Sequence, residues 1–177
     1  GPVNVSNGGT LAPGNSIASL ATGTTTFATG ATFAYEVDST NPLSLGSAAD
    51  LLVVTGDLTL DPANGTLLTF TDLDSSPNAF VSDSTIFALI NYSGTWNGGL
   101  FTYGGTVLTD GGKFFVGSQE WEIDYDRTSA TGLDNFTGDY VSGSFVTVTA
   151  VPEPSTLALI SIGLAGLLLA CRRGRAC

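Results

Sequence analysis

A short element of glycine, threonine and leucine returns along the chain, and this repetition constrains the fold more than any other feature. It stands as Gly-Gly-Thr-Leu at residues 8–11, as Asn-Gly-Thr-Leu at 64–67 and as Gly-Gly-Thr-Val-Leu at 104–108. Short strands that recur between turns rich in Gly, Asn and Asp are typical of stacked coils. The 23 glycines and the low charged fraction of 12% also favour strands and tight turns over helices. We therefore predict an all-β protein.

Two longer runs resemble a known family. Residues 9–16 are Gly-Thr-Leu-Ala-Pro-Gly-Asn-Ser, and residues 50–56 are Asp-Leu-Leu-Val-Val-Thr-Gly. These runs resemble the autotransporter-associated β-strand repeat of passenger-type proteins. The resemblance implies a right-handed parallel β-helix over residues 1–70. Strands rich in Gly and Thr occur in many β proteins, so an antiparallel β-sandwich is the alternative.

Longer strands with clear alternation follow between residues 84 and 150. In residues 120–126, Trp121, Ile123 and Tyr125 share one face, which predicts one buried and one solvated side. The opposite face carries the carboxylates of Glu120, Glu122, Asp124 and Asp126. We interpret this strand as part of an antiparallel cap, because the open end of a β-stack exposes apolar interior and unpaired backbone groups. The predicted division is a β-repeat region at 1–83, a β capping region at 84–150 and a C-terminal signal at 151–177.

An apolar stretch lies near the C-terminus. Residues 157–171 carry no formal charge, and a helix of this length is roughly 22 Å long, marginal for a bilayer core of about 30 Å. Arg172, Arg173 and Arg175 follow at once. Arginines on this side predict a transmembrane helix whose tail stays in the cytoplasm while the body is exported. A buried core helix is the alternative, but the stretch has no polar face.

Pro152, Glu153 and Pro154 stand just before this stretch. Two prolines fix φ and disfavour helix in the residues before them, so Glu153 lies on a stiff extended segment of the kind a protease needs. The order of Pro-Glu-Pro motif, apolar helix and arginine cluster resembles the PEP-CTERM sorting domain of Gram-negative bacteria. The resemblance implies that a membrane-embedded exosortase cuts near the motif and releases the body or transfers it to the cell surface or exopolysaccharide.

Acidic residues dominate the chain before Pro152. Fifteen acids stand there against two bases, Lys113 and Arg127, which gives a net charge of −13. Such a surface repels phosphate backbones, so we expect no nucleic-acid partner. Divalent cations or cationic matrix material suit it better.

A calcium loop is one hypothesis for these acids. Asp72, Asp74 and Asp83 have the spacing of oxygen ligands in such a loop, although Pro77 occupies the position where the loop has glycine. A polar turn is the favoured interpretation, and a weak Ca²⁺ site stays open. We expect no other cofactor.

The chain contains no histidine, and its two cysteines, Cys171 and Cys177, lie in the tail. Ser-His-Asp and Cys-His triads are therefore excluded from the body, as are the imidazole ligands of most catalytic zinc sites. The carboxylates of residues 120–126 are spaced about 6.8 Å apart along the strand, as a general acid and base would require. A solvated strand face that discourages aggregation is the favoured interpretation.

These features together predict a non-enzymatic exported protein of the cell surface or extracellular matrix, such as a biofilm stalk with a structural or adhesive role. Its precursor would be anchored in the inner membrane with the body outside the cytoplasm. The chain has no Met and opens with Gly-Pro-Val, so we expect it to belong to a longer precursor.

Two alternatives remain. One is a carbohydrate-binding module, or the C-terminal part of a carbohydrate-active enzyme, in which Tyr92, Trp96 and Tyr103 stack on sugar rings. Inward packing of these side chains is the favoured interpretation. The other alternative is a small enzyme with two convergent carboxylates.

Overall fold

The computed structural model describes residues 1–38, 48–73, 85–133 and 140–151, and all regular elements among them are β-strands. The predicted all-β class is therefore confirmed. Among these residues no helix is long and apolar enough to cross a bilayer, and the predicted helix at 157–171 lies outside them. The strands are β1 (Val3–Val5), β2 (Thr10–Leu11), β3 (Ser19–Thr22), β4 (Thr25–Phe27), β5 (Thr32–Val37), β6 (Leu51–Val54), β7 (Leu58–Thr59), β8 (Thr66–Asp72), β9 (Ile86–Tyr92), β10 (Phe101–Tyr103), β11 (Thr106–Leu108), β12 (Lys113–Val116), β13 (Gln119–Arg127) and β14 (Ser144–Val151).

The first nine strands are distributed over three sheets in a fixed order. β1, β4 and β7 form the first sheet, β2, β5 and β8 belong to the second, and β3, β6 and β9 belong to the third. All neighbours within these sets are parallel. Each circuit of three strands therefore adds one strand to every sheet, and a fourth circuit begins with the parallel bridge of Trp96 to Leu58 and continues in β10 beside β8. Parallel pairing on this scale is incompatible with the antiparallel β-sandwich.

Backbone hydrogen bonds also join successive circuits at the corners. The N–H of Gly23 donates to the carbonyl of Gly1 over 2.8 Å, and the N–H of Gly94 donates to that of Gly56 over 2.9 Å. Turns that stack in this way satisfy polar groups that the sheet ladders leave unpaired.

Alternating side chains of β5 and β8 fill the space between the sheets. Phe33 and Tyr35 are fully buried, and Phe70 is 7% exposed. Rings from different circuits meet, with centroids 5.3 Å apart for Tyr35 and Phe70 on adjacent strands and 5.9 Å apart for Phe33 of β5 and Phe101 of β10. Each such pair contributes about 0.5–1.5 kcal/mol beyond the area it buries.

Pairing becomes antiparallel in the C-terminal part of the third sheet. Its strand order is β12-β13-β14-β9-β6-β3, and β9 is parallel to β6 but antiparallel to β14. Trp121, Ile123 and Tyr125 of β13 are fully buried, as the alternation predicted. The second and third sheets each combine strands from before and after residue 84, because β10 is parallel to β8 and β9 is parallel to β6.

A second apolar cluster covers the outer face of the same sheet. Leu51, Val53, Ala88 and Phe145 project there from β6, β9 and β14, and Leu133 is buried against them. β6 is consequently buried on both faces, which explains its unbroken apolar run.

Candidate functional site

The last strand carries the chain directly to the C-terminal tail. β14 lies between β13 and β9, and its final residues Ala150 and Val151 are paired with Trp121 and Glu120 of β13. Ala150 is 1% exposed, and its N–H donates to the carbonyl of Thr85 over 2.8 Å. The chain therefore remains in the sheet up to the last residue of β14.

The side chain of Gln119 is hydrogen-bonded to the last residue of β14. Its side-chain Nε2 donates to the carbonyl oxygen of Val151 at 3.0 Å and to that of Glu120 at 2.8 Å. Gln119 is the first residue of β13, directly after the turn at residues 117–118. One amide group thus bridges the start of β13 and the end of β14.

The tail beyond this point is where a sorting signal was expected from the sequence. Residues 150–173 match the PEP-CTERM protein-sorting motif. The motif implies an exported, membrane-anchored precursor that an exosortase processes. No curated protein and no solved structure matches the chain. The similarity of the body to autotransporter-associated repeats therefore stays a prediction.

The sorting motif overlaps the folded body by two residues. Ala150 and Val151 belong to both the match and β14, whereas Pro152, Glu153 and Pro154 lie outside the described residues. The basic cluster of Arg172, Arg173 and Arg175 lies outside them as well, so the orienting role predicted for it stays a prediction.

The acidic face of β13 divides into two halves. In the first half, Nζ of Lys113 lies 3.5 Å from a carboxylate oxygen of Glu120 and 3.9 Å from one of Glu122. These side chains are partly exposed, so each pair contributes at most about 1 kcal/mol. The ammonium of Lys113 offsets part of the charge of these two carboxylates, and the partial exposure of the three side chains agrees with the solvated strand face that the sequence favoured.

The second half gathers three acids. One carboxylate oxygen each from Asp110, Asp124 and Asp126 lies within 4.8 Å of the other two. Burial raises the pKa of Asp124, and the neighbouring charges of Asp110 and Asp126 raise it further. Two of these carboxylates also accept a backbone hydrogen bond. The N–H of Tyr125 donates to Oδ1 of Asp110, and the N–H of Asp126 donates to Oδ1 of Asp124.

These three oxygens are of the type that Ca²⁺ prefers, and solvent could fill the remaining positions of its six to eight ligands. Exposed acidic groups are common without an ion, so the cluster alone assigns no metal. The sequence interpretation did not include Asp110. A signal for it existed, because the Asp-Gly-Gly turn at 110–112 leads into β12, which pairs with the acidic strand.

One of the three residues of the predicted calcium loop lies in the described part of the chain. Asp72 ends β8 opposite Val37, whereas Asp74 and Asp83 lie outside the described residues. The calcium-loop hypothesis therefore stays a prediction.

Two buried acids, Asp50 and Asp61, accept hydrogen bonds from the backbone. The carboxylate of Asp50 accepts hydrogen bonds from the N–H groups of Ala18 and Glu36, at 2.9 and 3.0 Å. Burial raises the pKa of Asp50 to about 6, and the charge of Glu36 adds to the effect.

Asp61 accepts from the N–H groups of Ala63 and Asn64 at 2.9 and 3.2 Å, which closes a turn.

The aromatic residues considered for sugar binding face the interior. Tyr92 is 3% exposed, and its hydroxyl donates to the carbonyl of Tyr125 over 3.0 Å. Trp96 stacks on Tyr125 with centroids 5.1 Å apart, and Tyr103 packs against Phe114 at 4.9 Å. The favoured interpretation of inward packing is confirmed for Tyr92, while Trp96 and Tyr103 pack against the core and remain partly exposed.

Proposed function

We propose that this chain is a non-enzymatic exported protein of the cell surface or extracellular matrix, with a structural or adhesive β body and a tail that an exosortase removes. The observation that carries the proposal is the sorting-motif match at residues 150–173. The direct connection of that motif to a stack of strands supports a body that is exported and then detached from its anchor.

The finer fold that we propose for the body is a right-handed parallel β-helix with an antiparallel cap. Support comes from the fixed order in which the chain visits the three sheets. Parallel connections within one sheet are right-handed in nearly all proteins. Each circuit lengthens such a stack by about 4.8 Å, and β12, β13 and β14 would close its C-terminal end. A rigid rod of this kind suits a stalk.

The proposed processing breaks one peptide bond near the Pro-Glu-Pro motif. The acyl carbon passes to water, or to an amine or hydroxyl acceptor at the cell surface, and the tail leaves as a protonated amine. The exosortase supplies the catalytic groups. The body needs none, which agrees with the lack of histidine in the sequence.

A carbohydrate-binding module, or the end of a carbohydrate-active enzyme, is less well supported. Tyr92 is buried in the apolar core, and the partly buried rings of Trp96 and Tyr103 pack against it, so none of the three is a fully exposed platform for a sugar ring. Phe115 is the most exposed large apolar side chain among the described residues, at 60%, and it is paired with Glu120 of β13.

The test is to express the chain in a Gram-negative host with and without an exosortase and to measure the intact mass of the exported product. We expect loss of the apolar stretch and arginines only when the exosortase is present. Glu153→Gln should abolish this loss, whereas the control Glu122→Gln should leave it unchanged. An uncut tail in both hosts would make it a permanent anchor and refute the proposal.

A further inference from the structure

We propose that Gln119 and the last two residues of β14 form a latch that controls how fast the exosortase processes the tail. The inference rests on the proposed function. The latch consists of Gln119 and Glu120 on β13 and of Ala150 and Val151 on β14. Its effect is to keep the N-terminal side of the sorting motif inside the sheet.

No spacer separates the folded body from the sorting motif. Val151 is still paired with Glu120, and Pro152 follows as the next residue. The match itself begins at residue 150, within β14. An enzyme that grips the chain on the N-terminal side of Pro152 must therefore reach residues that belong to the sheet.

Enzymes and receptors that bind extended peptides usually pair with the peptide backbone as an added strand. The backbone groups of Ala150 and Val151 are already engaged, because the N–H of Ala150 donates to Thr85 and the carbonyl of Val151 accepts from Gln119. The folded body thus competes with the exosortase for the same hydrogen-bonding groups.

The last two residues of β14 have less strand pairing than the rest of that strand. Pairing with β9 ends at Thr149 and Ile86, whereas pairing with β13 continues to Val151. Release of Ala150 and Val151 leaves the side chain of Val148 buried and the rest of the ladder intact. Such local openings require much less free energy than global unfolding. When opening is fast, cleavage follows the population of the open form.

Gln119 sets that population. Its hydrogen bond to the carbonyl of Val151 crosses from the start of β13 to this end, whereas its bond to Glu120 stays within β13, and no other side chain of the described residues bonds Val151. Its removal should therefore shift the end of β14 toward the open form. Loss of one typical hydrogen bond should raise the population of the open form roughly fivefold.

The experiment follows cleavage over time, by pulse-chase, in the host that carries the exosortase. Gln119→Ala and the near-isosteric Gln119→Glu both lack the Nε2 donor, and we expect each to be cut roughly fivefold faster than the wild type. Insertion of Gly-Ser-Gly-Ser between Val151 and Pro152 should also accelerate cleavage, because the inserted residues can bind the enzyme while β14 stays closed. In the insertion variant Gln119→Ala should have no further effect.

Two controls separate the latch from general instability. The same insertion between Gly104 and Gly105 lies in an open turn and should leave the cleavage rate unchanged. Asn91→Ala removes hydrogen bonds to Ser144 and Val141 and should lower the melting temperature without accelerating cleavage as much as Gln119→Ala.

Equal cleavage rates for the wild type, Gln119→Ala and the Val151–Pro152 insertion would overturn the latch and leave the sorting function standing. Acceleration by Asn91→Ala equal to that by Gln119→Ala would overturn it too. Absence of cleavage in every variant would instead refute the proposed function.

Discussion

At the scale of single residues, Asp50 ties two strands together at an electrostatic cost. It is 1% exposed and accepts hydrogen bonds from the backbone of Ala18 and Glu36. Its pKa rises from 3.8 to about 6, mainly because burial disfavours the charged carboxylate. The folded state therefore holds this proton more tightly than the unfolded state does.

The linked effect on stability has a definite sign. The contribution of Asp50 to the free energy of unfolding is greatest below its unfolded pKa of 3.8 and is lost as the pH rises through its folded pKa of about 6. Lowering the pH from 7 to 5 should therefore stabilise the fold by about 1 kcal/mol through this group. Urea unfolding of the wild type and of Asp50→Asn at both pH values tests this. Equal pH dependence in the two proteins would show that Asp50 does not titrate in this range.

At the scale of elements, the corner before β10 shows how closely successive circuits pass. Gly98 and Gly99 both have positive φ, at 92° and 84°. A side chain on Gly99 would press against the carbonyl of Leu60 in the circuit below, whereas one on Gly98 would meet nothing within 4 Å. The two neighbours share one backbone constraint and differ in the space around them.

This difference gives a matched pair of substitutions. Gly98→Ala should cost roughly 1–2 kcal/mol, the strain of a side chain at positive φ. Gly99→Ala should cost about 1–3 kcal/mol more, because the backbone of the Leu60 circuit must also move. Urea unfolding of both variants measures the difference. Equal losses would mean that the circuits can separate at this corner without penalty.

Several elements could be predicted from the sequence because their signal is local. The alternation of Trp121, Ile123 and Tyr125 was enough to identify the buried face of β13. The acidic cluster was only half predictable, since Asp110 reaches Asp124 through the pairing of β12 with β13, a contact between residues distant in sequence. The overlap of the sorting motif with β14 was equally hidden, because a strand and an exposed linker can share one short apolar sequence.

At the scale of the whole molecule, charge is distributed unevenly along the stack. Residues 1–35 contain no charged side chain, and all 15 acids of the body lie beyond them. This uncharged part includes β1, β2 and β3, each of which has a single strand neighbour in the described structure. Most proteins protect such edges with charged side chains.

In a protein that starts at Gly1, the uncharged edges of these strands should therefore favour association between copies. Thr10→Lys, on the edge strand β2, should raise the concentration needed for association by roughly tenfold, since like charges would then face each other. Thr69→Lys, on the interior strand β8 of the same sheet, should have little effect, and both threonines are exposed. Sedimentation of the full chain in detergent micelles compares the two variants. An equal effect of both would attribute the change to net charge alone.

The three corners of each circuit differ in how much length they tolerate. Between the first and second sheets the connections have four, four and six residues, and between the third and first they have two and three. Between the second and third sheets they have seven, thirteen and thirteen. The connections between the second and third sheets are thus the longest, and the strands on either side of them still pair in parallel. That corner is the natural place to graft a foreign peptide, and a body that reaches the cell surface would then display the peptide at regular intervals along one side.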